Sequence, residues 1–177
     1  MSESTARCLI QCPRSRVRLP EPRPILPNDR VLHIAIRAAE MNDAAALAQL
    51  MCELGYQTST AEMRQRLEWI LTDARYRTFI AELDNQIAGM IGTLTLRSYE
   101  HNDAGGRILT LVIFNRARRR GIGRALIVAA EKDFAQRGVR RVAVDTRLTR
   151  KDAHKFYEAL GYERNGWRFM KQLSMCD

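Results

Sequence analysis

From residue 31 onward, apolar positions recur first with the period of strands and then with that of helices. Leu32 to Arg37 alternates enough for a short first strand. Leu47, Leu50, Met51 and Leu54 follow at i, i+3, i+4 and i+7, one face of a helix, with Asp43 as its cap and Gly55 as its stop. Ser59 with Glu62 forms a capping box, and the helix it starts turns Met63, Leu67, Ile70 and Leu71 inward. Thr78–Leu83 and Ile87–Leu96 read as a hairpin turned by Asp84-Asn85. After a polar loop, Tyr99 to Gly106, comes Ile108–Phe114, a nearly continuous apolar run expected of a strand buried on both faces. Ile122, Leu126, Ala129 and Phe134 mark the inner side of a helix that runs to about Arg137 and stops at Gly138. Arg141–Thr146 is a strand. Thr149 and Asp152 start a short helix that ends at Leu160-Gly161, and Trp167–Leu173 makes a last strand. The order β-α-α-β-β-β-α-β-α-β predicts a mixed α/β domain.

Composition sets the boundary of that domain. All five prolines lie between Pro13 and Pro27 and all ten glycines at or after Gly55. Residues 1–30 therefore read as an extended tail without regular structure, and residues 31–177 as the folded domain. The tail's six arginines face three acidic residues, so it supplies only +3 of the net +9 and the domain is basic in its own right. Such a balance points to an anionic partner: nucleic acid, a membrane surface or a phosphorylated small molecule. No apolar run approaches the roughly 18 residues of a membrane span, and no secretory leader is visible. A cytoplasmic protein with no membrane partner is expected. Cys8, Cys12, Cys52 and Cys176 make no Cys-x-x-Cys pair, and His33, His101 and His154 stand far apart. Free thiols and no metal are expected.

The chemistry concentrates where the buried strand runs into a basic loop, a glycine pair and a helix. Gly121 and Gly123 let backbone approach a ligand closely. The amides around them begin a helix, where N–H groups lack internal partners and the dipole is positive, a setting for a pyrophosphate. Arg118, Arg119, Arg120 and Arg124 add cations suited to phosphate oxygens. No Gly-Lys-Ser/Thr follows, so this is not a Walker loop; the third glycine of the dinucleotide fingerprint is also missing.

Arg118-Arg119-Arg120-Gly121-Ile122-Gly123 resembles the Arg/Gln-x-x-Gly-x-Gly/Ala signature of the GCN5-related N-acetyltransferase (GNAT) superfamily. Asp152-Ala-His-Lys-Phe-Tyr-Glu-Ala-Leu-Gly-Tyr162 resembles its second motif, and the order of elements is similar across residues 33–173. The resemblance implies a GNAT-like acyl-CoA N-acyltransferase fold. It implies acetyl-CoA as co-substrate and an acetyl transfer by direct attack of a primary amine in a ternary complex. Backbone groups at Leu111 and Ile113 would pair with the pantetheine arm, and an amide at Val112 or Ile113 would polarise the carbonyl oxygen. Amides from Arg119 to Arg124, Ile122 among them, would hold the pyrophosphate. Tyr157 matches the tyrosine that protonates the leaving thiolate. Small-molecule and peptide amines both stay open as acceptors, with their pocket near Gly55–Ser59 and Asn165–Phe169. Many relatives are dimers, so a homodimer is an open expectation.

Two positions depart from the family pattern. Where many relatives carry a glutamate on the central strand, Leu109 stands here beside Thr110, leaving a water chain, Glu100, His101 or an unidentified group as the base, or none if the amine arrives neutral. An asparagine often found before the second motif is replaced by Thr149 and Arg150. Two other readings stay open: a basic nucleic-acid binder using Arg116 to Arg124 and the tail, and an inactive CoA-binding partner module.

Overall fold

The computed structural model describes residues 33–173. Strands β1 (Ile34–Ala38), β2 (Tyr76–Leu83), β3 (Gln86–Leu96), β4 (Gly105–Ile113) and β5 (Arg141–Val144) form one sheet in chain order. The first three pairings are antiparallel, and β4 pairs with β5 in parallel. Helices α1 (Ala44–Glu53) and α2 (Thr60–Thr72) pack together and against the sheet; α3 (Ile122–Gln136) packs along β1 to β4. Helix α4 (Lys151–Glu158) follows β5. The expectations for residues 1–30, Cys8, Cys12 and Cys176 lie outside the described residues. No described helix is long and apolar enough to cross a membrane.

Local sequence explains most boundaries. Asp84 and Asn85 both take positive φ, 51° and 64°, the turn whose twist suits a two-residue hairpin. Ser59 accepts from the Glu62 amide while Glu62 accepts from the Ser59 amide, as the capping box requires. Gly55, Gly138 and Gly161 end their helices in the left-handed region. Gly106 serves packing instead. A Cβ there would come within 2.9 Å of the Phe134 ring, so α3 rests directly on the β4 backbone.

Several expectations are corrected. The last strand, Trp167–Leu173, does not form: Trp167 is 76% exposed and Phe169 92%, and no described strand pairs with the outer edge of the four-residue β5. Leu71 faces solvent because only Met63 and Leu67 of α2 reach the core. Thr149 caps nothing; Arg150 holds the cap position of α4 without a side-chain bond. Ala129 is half-buried, with Ile127 and Ala130 taking the core positions beside Leu126. The β4 strand begins at Gly105, two residues inside the expected loop, and Leu109 is exposed rather than buried.

Asp43 also does different work from a simple helix cap. It accepts from the Glu40 amide at 2.7 Å and takes both terminal nitrogens of Arg37 at 2.8 Å. The Nε of Arg37 reaches Glu82 on the neighbouring strand at 2.7 Å. This ties β1, β2 and the entrance of α1 together around a carboxyl that is only 8% exposed. The guanidinium of Arg37 holds that carboxyl below the usual range. Its stabilisation is therefore complete above the unfolded value, about 3.9, and is lost as pH falls through the lower folded value. Asp43→Asn is expected to lower unfolding free energy by about 2 kcal/mol at pH 7, short of a fully buried pair because Arg37 is partly solvated. In urea titrations the gap from wild type should narrow as pH drops below about 4; a gap independent of pH would refute the assignment.

Candidate active site

The site begins where the sheet stops being continuous. The β4–β5 ladder runs from Gly105–Arg141 to Ile108–Val144 and ends there, while β4 continues to Ile113. On its other side β4 stays paired with β3 throughout, apart from a bulge that inserts Leu109. The Phe114 amide donates to the Ala88 carbonyl at 2.9 Å, which fixes the alternation of the ladder. Peptide groups of Val112 and Thr110 accordingly face β3, and those of Leu111 and Ile113 face the side that β5 has left. The Ile113 carbonyl receives the Nε of Arg118 at 3.3 Å, whereas its amide keeps no described partner. Val112 is buried in the core, and its contribution is to anchor the strand.

The bulge carries a consequence for acid–base chemistry. Leu109, which the family resemblance sets against a glutamate, is 49% exposed and apolar. Beside it the Thr110 hydroxyl is buried without a hydrogen-bond partner. Glu100 is bonded to the Ser98 hydroxyl, which holds its carboxyl below the ordinary value and makes it a poor proton acceptor. His101 is exposed in the same loop, ahead of the first residue of β4.

Past Phe114 the chain makes a short 3-10 turn, Asn115–Ala117, and then the glycine loop. Arg119 and Gly121 both adopt positive φ, 60° and 81°, so the backbone reverses twice before α3 starts. A Cβ at Gly121 would meet nothing within 4 Å, and the residues from Arg118 to Gly121 are exposed. The loop has the form of an anion cradle: consecutive N–H groups at a helix start, with left-handed residues between them. Arg118, Arg119, Arg120 and Arg124 are all exposed around it. Ile122 is buried in the core, so its side chain is not available to a ligand. Gly123 differs from Gly121. A Cβ there would lie 3.2 Å from the Phe156 ring and 3.4 Å from Ile113, which makes it the point where α4, α3 and β4 touch.

Helix α4 brings Tyr157 into this region. Its ring is buried edge-on between Phe156 (5.2 Å between centroids) and Tyr162 (5.5 Å), while Tyr162 donates to Glu131 of α3 at 2.8 Å. Burial pushes the Tyr157 phenol up to about 12, against the charge of nearby Arg150. The phenol therefore keeps its proton at neutral pH. His154, one turn earlier, bonds the Arg147 carbonyl at 3.1 Å and fixes the loop before α4. Sequence reasoning missed Phe156 as the residue that needs Gly123, and it missed Arg147; Arg150 it noted only as a departure from the second motif. The only sequence signal was two arginines flanking the short helix start. Among the described residues no group of three or more His, Cys, Asp or Glu side chains could hold a metal ion.

A family model described as the acetyltransferase (GNAT) family matches residues 44–162. The chain is similar to the aminoalkylphosphonate N-acetyltransferase of Salmonella typhimurium. The two are 29% identical over 139 residues, covering 78% of this chain and 90% of that protein. A GNAT family acetyltransferase from Staphylococcus aureus superposes with a TM-score of 0.69 at 26% identity, covering 79% of this chain and 98% of that one. An aminoglycoside N-acetyltransferase solved in complex with CoA shares the fold, with a TM-score of 0.73 at 22% identity over 86% of this chain and all of that one.

The two glycines should respond differently to the same substitution. Gly121→Ala strains the backbone whatever the space, at about 1 kcal/mol. Gly123→Ala crowds Phe156, and its cost should shrink by at least half in a Phe156→Leu background, whereas that of Gly121→Ala should not change. Equal costs in both backgrounds, read by chemical denaturation, would refute the packing role of Gly123.

Proposed function

The chain belongs to the acetyltransferase (GNAT) family, matched across residues 44–162, and from that premise we propose that it transfers an acetyl group from acetyl-CoA to the primary amine of a small acceptor. The observation that carries this reading is the free edge of β4. Peptide groups of Leu111 and Ile113 face the side without a strand, one short turn before the glycine loop. An extended amide-bearing chain fits such an edge as an added strand would, with its anionic end at the start of α3. The cradle at Gly121, where even a Cβ meets nothing, suits a pyrophosphate.

Acetyl-CoA supplies a thioester whose carbonyl carbon the amine attacks. Within the protein, the Leu111 peptide groups bind and orient the pantetheine arm beside Ile113. Backbone amides from Arg119 to Arg124 hold the pyrophosphate, and the arginine side chains neutralise phosphate charge. The Ile113 amide, rather than that of Val112, is turned to donate to the carbonyl oxygen as negative charge develops. The neutral Tyr157 phenol gives its proton to the departing sulfur and is reprotonated from the water that carries off the proton of the amine. No carboxylate on β4 takes the proton of the amine, which leaves through water. The arginines between Arg116 and Arg124 thus have anionic work within this reaction, without nucleic acid. The Salmonella relative carries aminoalkylphosphonate in its name, and a small amine of that kind is the acceptor class proposed here.

Titration with acetyl-CoA at about 100 times its Kd should raise unfolding free energy by about 2.7 kcal/mol, seen as a thermal shift of several degrees. Gly121→Glu should abolish the shift; a shift that survives it would sink the cradle assignment. Tyr157→Phe is expected to lower kcat by about 100-fold while acetyl-CoA affinity changes less than threefold. Because the phenol is raised, its proton is lost only as pH climbs through about 12, so the acid step should not fail between pH 7 and 9. An unchanged kcat in Tyr157→Phe would remove Tyr157 from the reaction.

A further inference from the structure

Arginines along the sheet mostly end on carboxylates: Arg37 on Asp43 and Glu82, Arg107 on Asp145, Arg141 on Asp103. Two arginines in the loop after β5 do not. Arg147 donates to the Tyr56 hydroxyl at 3.3 Å, and its guanidinium lies 5.9 Å from the centre of that ring. Arg150 donates to the Leu54 carbonyl at 3.0 Å. Among the described residues no carboxylate lies within ion-pair distance of either.

Leu54 and Tyr56 belong to the loop that leaves α1, so these bonds join the α1–α2 loop to the β5–α4 loop. The second loop is itself fixed, by the Arg150 amide on the Arg147 carbonyl at 2.9 Å and by His154 on the same carbonyl. Two arginines carried by one fixed loop, each bonded only to a neutral protein group, leave positive charge there for an anion to neutralise. The location is specific as well. Arg150 is near enough to Tyr157 for its charge to act on the phenol. The pair stands in a different loop from the arginines around Gly121.

We propose that Arg147, Arg150 and Tyr56 hold the anionic end of the acceptor, a phosphonate, phosphate or carboxylate carried on the same small molecule as the reacting amine. The planar fork of Arg147 suits two oxygens of such a group, and the Tyr56 hydroxyl supplies a further donor. This rests on the acetyl-transfer reading above and adds to it the chemistry that selects the acceptor.

Steady-state kinetics at saturating acetyl-CoA test it, with 2-aminoethylphosphonate against ethanolamine, which has the same amine and no anion. The phosphonate should exceed ethanolamine in kcat/KM by about 100-fold. Arg147→Gln should raise the KM for the phosphonate by at least about tenfold, hold kcat within threefold and leave the KM for ethanolamine unchanged; Arg147→Lys should recover part of the loss. Calorimetric affinity for acetyl-CoA should not move. Equal kcat/KM for the two amines overturns the proposal while acetyl transfer stands. A loss of acetyl-CoA affinity in Arg147→Gln also overturns it, by giving the pair to the phosphates of CoA. Should neither amine be acetylated, the transfer reading fails by itself. Calorimetry of 2-aminoethylphosphonate on wild type and Arg147→Gln then decides the anion site: binding lost in the variant supports it, and no binding to wild type overturns it.

Discussion

The rest of the site depends on the early end of one parallel ladder. A strand in the middle of a sheet normally satisfies its peptide groups on both sides, because a buried unpaired amide costs about as much as a lost hydrogen bond. Here β4 is paired with β3 along its whole length but with β5 only as far as Ile108. The half-paired stretch is tolerable because everything around it is fixed by other means. The bulge at Leu109 bends the strand, Phe114 is locked to Ala88, and Arg118 takes up the Ile113 carbonyl. What is left is a short row of preorganised donors and acceptors leading into a helix start. An edge of this kind binds backbone-like chains for the same reason that exposed edges recruit other strands.

The excess of positive charge acquires a meaning from its distribution. Around the sheet, arginines such as Arg37, Arg107 and Arg141 are structural and spend their charge on aspartates and glutamates. Exposed arginines surround the glycine loop, and two more carry the bridge between the α1–α2 and β5–α4 loops. A nucleic-acid surface would spread its cations over the span of a duplex or along a groove. Cations gathered at a helix start and beside one tyrosine instead suit a small ligand with a few phosphate or phosphonate oxygens.

Much of this was legible in the sequence because it depends on local rules. The hairpin at Asp84-Asn85, the capping box at Ser59 and Glu62, and the helix-ending glycines are short-range chemistry, and each occurs where the pattern puts it. The glycine loop and Tyr157 were readable from the resemblance to a family. Tertiary competition governs what was not readable. Asp43 looked like a cap, but Arg37, six residues earlier, captures it. Gly123 looked like a second cradle residue, but the ring of Phe156, 33 positions later, occupies its side. The run from Trp167 to Leu173 has the composition of a strand, yet a strand exists only with a partner, and β5 offers four residues. The bridge from Tyr56 to Arg147 spans 91 positions and has no local signature at all.

The absence of a carboxylate at Leu109 then fits the electrostatics rather than opposing them. A glutamate on the strand would take a proton from an ammonium ion, and its negative charge would also favour that ammonium form. Arg150 does the reverse. The charge that pulls the Tyr157 phenol toward its anion also disfavours a protonated amine brought beside it. An acceptor tethered by its own anionic end would thus enter a region biased toward the neutral, nucleophilic amine. The proton it sheds needs only water, because the lone pair rather than a protein base makes the attack. In such a site the cations would stand in for a base. They would hold the acceptor by one end and lower the proton affinity of the other.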